Sequence, residues 1–272
     1  MNLTKEDIEA YAVGLAIVLA IYGVMFKLIP YVFSKIVPTK IPVVARVAKS
    51  VAAAAQSAIR PKFLFPFHTR EVKGEDAMAA FETARTEGKG VPVIIGGDEG
   101  MVQSLADMMY HHKSKPDEYI RRAEANPNPY PSKSAPKMPK VWPHVGPFDK
   151  ERNPFSIHLH PEGFKPVVTL AYIPTPSSAD IPAYLKLGSW NAVPDADVFV
   201  ALLRKWQRDY GAELVAVSMD TMDVRVARRP ATHQEALIIA REHAKFCPSN
   251  EVTITERAAE LMQLDWWHFW WD

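Results

Sequence analysis

Three groups of residues have types and spacings that chemistry uses. His158 and His160 alternate in Ile157-His158-Leu159-His160, and on an extended strand that spacing puts both imidazoles on one face, as a metal-binding strand would. Only Glu162 stands near enough to add a carboxylate, so the pair reads as surface histidines, and neither a metal nor a cofactor is expected. Glu242 and His243 fall on a predicted helix that ends just before Cys247, where an acid, an imidazole and a thiol offer a nucleophile and its base. Nothing nearby visibly activates a thiolate, and a lone cysteine before Pro248 is more often a small packed hydrophobe. Gly96-Gly97-Asp98-Glu99-Gly100 follows a strand and opens a helix, the setting in which glycine loops bind phosphate. It lacks the spacing of the known phosphate loops, and its two acids would repel a phosphate, so it reads as a turn with an acidic N-cap. His111-His112 at a helix end suits the helix dipole.

Composition narrows the partners. The chain has 272 residues, a formal net charge of +1 and one cysteine, Cys247. That balance gives no reason to expect a nucleic acid, and one cysteine excludes an intrachain disulfide and any all-cysteine metal site.

The N-terminal region reads as a membrane anchor. Residues 11–26, YAVGLAIVLAIYGVMF, carry no charge, and the apolar stretch over residues 8–29 is long enough to cross a hydrocarbon core of about 30 Å. Lys5, Glu6, Asp7 and Glu9 precede the charge-free run of residues 11–26, where a cleavable leader would carry a basic run. Lys27, Lys35, Lys40, Arg46, Lys49, Arg60 and Lys62 follow it without an acid among them. The positive-inside rule then expects a bacterial inner-membrane protein with a single transmembrane helix, the lipid bilayer as one partner, and its C-terminal portion in the cytoplasm. The expected divisions are the anchor (1–34), a basic, alanine-rich juxtamembrane helix (35–62), a small α/β unit (63–125), a proline-rich linker or docked arm (126–184), and a C-terminal α+β domain (185–272).

The soluble divisions are read from periodicity and punctuation. FLFPFHTREV and VPVII are strands, each followed by a helix. Prolines recurring through residues 126–148 exclude regular helix. Val167–Ile173 is a strand. LKLGSWNAV is read as another, followed by a helix that Asp195 opens and Gly211 ends. AELVAVSMD and TMDVRVARR make a hairpin. Thr232 with Glu235 and Thr253 with Glu256 form capping boxes for two more helices, and DWWHFWWD is the final strand. The order β-α-β-β-α-α-β over residues 185–272 predicts an α+β, ferredoxin-like split βαβ sheet domain.

Trp190-Asn191-Ala192-Val193-Pro194, Tyr210-Gly211-Ala212-Glu213, Ala240-Arg241-Glu242-His243, Phe246-Cys247-Pro248 and the terminal Phe269-Trp270-Trp271-Asp272 together resemble a bacterial family catalogued as domain of unknown function 4253, over residues 188–272. The resemblance implies no activity. That family often has cysteine where this chain has Val193 and aspartate where it has Ser249, which counts against metal or redox chemistry built on Cys247.

The final strand is the most informative feature. Trp266, Trp267, Phe269, Trp270 and Trp271 make both of its faces aromatic; one face must enter the core, and the other needs the small N-terminal unit (63–125), residues 126–148 or another protein to cover it. Asp272 is expected to pair with Arg228, Arg229 or Arg241. The sequence therefore predicts a membrane-anchored, non-enzymatic binding or accessory protein that recognises a protein partner. Its expected binding residues are Trp190, Asn191, Arg241, Glu242, His243, Trp267, Trp270, Trp271 and Asp272. The alternatives are a hydrolase with a site between the two soluble units, using Trp190, Asn191, Glu242 and His243, and an accessory subunit of a larger membrane complex.

Overall fold

Val167–Ile173, a nearly continuous apolar run with every second side chain buried at its start and a fully buried end, makes a strand that can sit inside a sheet. It does so in the computed structural model, which describes residues 63–96, 99–131, 136–145, 158–159, 163–190, 192–248 and 252–271. The strands are β1 (His68–Lys73), β2 (Val91–Ile95), β3 (His158–Leu159), β4 (Gly163–Phe164), β5 (Val167–Ile173), β6 (Glu213–Val217), β7 (Thr221–Arg225) and β8 (Trp266–Trp270). The helices are α1 (Ala77–Ala84), α2 (Glu99–His111), α3 (Pro116–Ala125), α4 (Ile181–Leu185), α5 (Ala196–Tyr210), α6 (His233–Phe246) and α7 (Ile254–Leu261).

Six strands form one mixed sheet in the order β1-β5-β2-β6-β7-β8, while β3 and β4 pair separately. β2 and β6 run parallel, and the other neighbours are antiparallel. The fold is α+β, but residues 185–272 do not build the ferredoxin-like domain the sequence predicts. Their strands continue a sheet whose other half comes from residues 68–173, and residues 63–272 form one compact unit. LKLGSWNAV is the reason: it is no strand, because Lys186, Gly188 and Ser189 all take positive φ, and consecutive left-handed residues cannot continue a pleated ladder. Without it, β6 finds a parallel neighbour in β2 instead.

The transmembrane expectation needs the same correction. No helix among the described residues is long and apolar enough to cross a membrane; the predicted anchor (1–34) and juxtamembrane helix (35–62) lie outside the described residues.

The sheet has a core on each face. Val93, Ile95, Ala171 and Ile173 point to one side, where α5, α6 and α7 supply Phe199, Trp206, Leu237, Phe246 and Leu261. Ile94, Val168, Leu170 and Tyr172 point to the other, where α1 supplies Ala77, Phe81 and Ala84. A bulge between Leu214 and Ala216 shifts the register of β6 against β7, which puts Val215 and Ala216 together on the α1 side.

Local signals explain the helices of the larger core. Gly211 ends α5 in the left-handed conformation, as glycine does without steric cost. Thr253 and Glu256 cap α7 reciprocally. The box at α6 is half formed: Thr232 accepts from the Glu235 amide, while the Glu235 carboxylate accepts from Ala231.

Candidate functional site

β8 is an edge strand: among the described residues none pairs beyond it. Its backbone directions follow from the register with β7. The Val226 amide donates to the Asp265 carbonyl at 2.8 Å, and the Trp271 amide donates to Asp220 at 2.9 Å. Since the antiparallel ladder alternates, residues 265, 267, 269 and 271 face β7, and the amide and carbonyl groups of Trp266, His268 and Trp270 point toward the open edge. The Cys247 thiol reaches the Trp270 carbonyl from that side at 2.9 Å.

Side chains divide in the same way. Trp267, Phe269 and Trp271 are buried against α5 and α6. Trp206 stacks parallel to Phe269 at 5.4 Å and meets Trp267 edge-on at 5.6 Å, geometries that aromatic quadrupoles favour. Trp266 packs near Phe81 under the guanidinium of Arg225. Trp270 remains 51 % exposed.

Beside this edge lies a cavity of about 150 Å³, lined by His243 of α6 and Cys247 just past its end, Ile254 and Arg257 of α7, and His268, Phe269 and Trp270 of β8. Three consecutive strand residues point alternately to opposite faces, so a cavity touching all three abuts the edge itself.

The polar groups here are in well-defined states. His243 is enclosed by Trp206, Trp267 and Phe269, and burial, with the positive charges of Arg257 and Lys205, holds its pKa well below the ordinary imidazole range. It is a neutral ring, and its Nε2 has no hydrogen-bond partner. Burial pushes the Cys247 thiol up, which makes it a protonated donor to Trp270 and no activated nucleophile. His268 Nδ1 lies 2.7 Å from the buried Asp223 carboxylate, its cross-strand partner. Arg257 Nη1 meets Glu260 at 3.1 Å.

Glu242 faces elsewhere. Its carboxylate accepts from Trp206 Nε1 at 2.6 Å and from Lys205 Nζ at 2.5 Å, a full set of partners for a buried acid. It lines a second cavity, of about 280 Å³, with Arg241 and Lys245 of α6 and with Asn128 and Tyr130 of the proline-rich stretch. Lys245 donates to the Pro131 carbonyl, and Trp142 stacks on His233 at 3.8 Å, so these described parts of that stretch lie on α6 and leave Trp270 uncovered.

The expected residues are thus only partly brought together. His243 and Trp270 share the edge cavity, while Trp267 and Trp271 are core. Glu242 and Arg241 face the second cavity, and Trp190 lines neither. Trp190 bridges to Val193 in a tight loop, where a Cβ on Gly188 would meet the Pro194 carbonyl oxygen at 1.6 Å. Asn191, Asp272, His160, Glu162, Gly97 and Asp98 lie outside the described residues. Two of the three arginines expected for Asp272 are engaged elsewhere, Arg228 with Glu235 and Arg229 with Asp265. Among the described residues no three histidine, cysteine or acidic side chains group as a metal site would. Sequence reasoning missed Lys205, Asp223, His268 and Arg257. The apolar spacing of α5 signals Trp206, whereas nothing local signals that β8 lies beside β7.

No curated protein and no solved structure matches the chain. A family model described as Domain of unknown function (DUF4253) matches residues 169–272, nearly all of β5 through β8, the stretch that carries the edge strand and its cavity and that the sequence resemblance singles out.

Proposed function

We propose that the chain is a non-enzymatic binding protein that recognises an extended segment of a protein partner by strand addition along β8. The observation that carries this reading is an aromatic edge strand without lysine, arginine, aspartate or glutamate, with Trp270 half exposed beside a cavity. Main-chain groups at such an edge give affinity, and the neighbouring pocket gives specificity. The hydrolase alternative asks Glu242 and His243 to work on one substrate. Their partners weigh against that, since the acid is saturated by Lys205 and Trp206 and the imidazole faces a different cavity.

The test uses the register. Proline at position 270 removes an amide that faces the open edge and costs β7 no hydrogen bond. Affinity purification of the full-length chain should recover a stoichiometric partner, Trp270→Ala should weaken its recovery, and Trp270→Pro should abolish it at an unchanged melting temperature. Equal recovery with Trp270→Pro would refute strand addition.

A further inference from the structure

We infer that the segment bound along β8 carries an aspartate or glutamate whose carboxylate enters the edge cavity and pairs with Arg257; this rests on the strand-addition reading above. The charge and chemistry of the lining are the grounds. Arg257 is the charged side chain on the wall, and the remaining polar groups are a thiol and two imidazoles; none of the described lining residues is acidic. Arg257 Nη1 meets Glu260 at 3.1 Å, and a guanidinium presents five N–H donors in a planar fork, enough to serve a second carboxylate beside that one.

His243 points the same way independently. It is 4 % exposed, lines the cavity, and its Nε2 has no partner, a state that natural structures rarely leave without a ligand or water. A neutral imidazole can donate one hydrogen bond to an entering carboxylate. Size agrees as well: about 150 Å³ is the share of roughly five waters in the liquid, room for a carboxylate side chain and some of its hydration. On an added strand every second side chain faces the helices, so the acid should stand alone at that spacing, with apolar neighbours two residues to either side.

Random peptides displayed on phage and selected on the immobilised full-length chain test this. The expected result is a shared Asp or Glu at one position; synthetic peptides with Gln or Asn there should bind about tenfold more weakly, the worth of a charge-assisted hydrogen bond. Arg257→Gln should bring the acid and amide peptides within about twofold of each other, if that bond is what is lost. Selected peptides without an acid that still fail to bind Trp270→Pro would overturn the carboxylate inference and leave strand addition standing. An acid preference that persists in Arg257→Gln would overturn the assignment to Arg257. Peptides that bind Trp270→Pro as well as the native chain, or none selected at all, would defeat both.

Discussion

The sheet has two edges, and they are built on opposite plans. β1, His-Thr-Arg-Glu-Val-Lys, carries Arg70, Glu71 and Lys73 along a largely exposed strand, the charged edge with which proteins ordinarily discourage pairing by strangers. β8, Trp-Trp-His-Phe-Trp, carries no such charge, exposes a tryptophan and borders a cavity. The same contrast recurs within β8. Trp267 is 1 % exposed and Trp270 is 51 % exposed on one short strand, because the first faces the Trp206 cluster and the second faces outward. On the strand-addition proposal, the unguarded edge beside so well packed a core is a surface for recognition, whereas the charged edge merely ends the sheet.

The comparison fails if the two sides of β8 respond alike to mutation. The largest effect is expected inside. Trp267→Ala removes a buried ring from contact with Trp206, Tyr210 and His243 and should cost about 3–5 kcal/mol, the usual range for a core tryptophan, read as a lowered urea midpoint.

An intermediate effect should appear as a pH dependence of stability. The folded-state pKa of His243 lies well below its unfolded value of about 6.5, so the unfolded chain takes up a proton that the folded chain refuses. The stabilisation from His243 is therefore complete above about pH 6.5 and is lost as pH falls toward the folded value, by up to about 1.4 kcal/mol per pH unit. Urea titrations from pH 7.5 to pH 5 on the native chain and on His243→Phe should differ by that slope; parallel curves would show that the ring is not held neutral.

The smallest stability change is expected at the edge. Trp270→Lys gives β8 the kind of guard β1 already has, and should shift stability by less than about 1 kcal/mol while eliminating partner recovery. Substituting Lys73→Thr on β1 should change neither stability, beyond about 0.5 kcal/mol, nor recovery. A large loss of stability in Trp270→Lys would mean that Trp270 belongs to the core and that the edge is not a separate surface.

Short-range signals carried much of the element structure. β5 occupies the residues the sequence assigns to it, α5 runs between Asp195 and Gly211 as its caps dictate, and the reciprocal box at Thr253 and Glu256 opens α7. These depend on groups within a few residues of one another. The aromatic pattern of the last strand also announced that one face must be core, since no other arrangement removes so many rings from water. LKLGSWNAV misled for the same reason in reverse: its apolar residues suit a strand, while its backbone is dictated by a close approach to Pro194 that is not written in its periodicity.

What the tertiary structure alone decided is which distant segments meet. Asp223 and His268 are 45 positions apart and become cross-strand partners only through the register of β7 with β8. β2 and β6 pair in parallel across the whole proline-rich stretch. Glu242 and His243, neighbours in sequence, are parted by the helical turn of α6 into different cavities. A side chain's type sets what it can bond to, and local periodicity sets the direction in which it leaves its own strand or helix. The group it finally faces depends on long-range pairing, whose loop-closure entropy and packing are settled by the whole core at once.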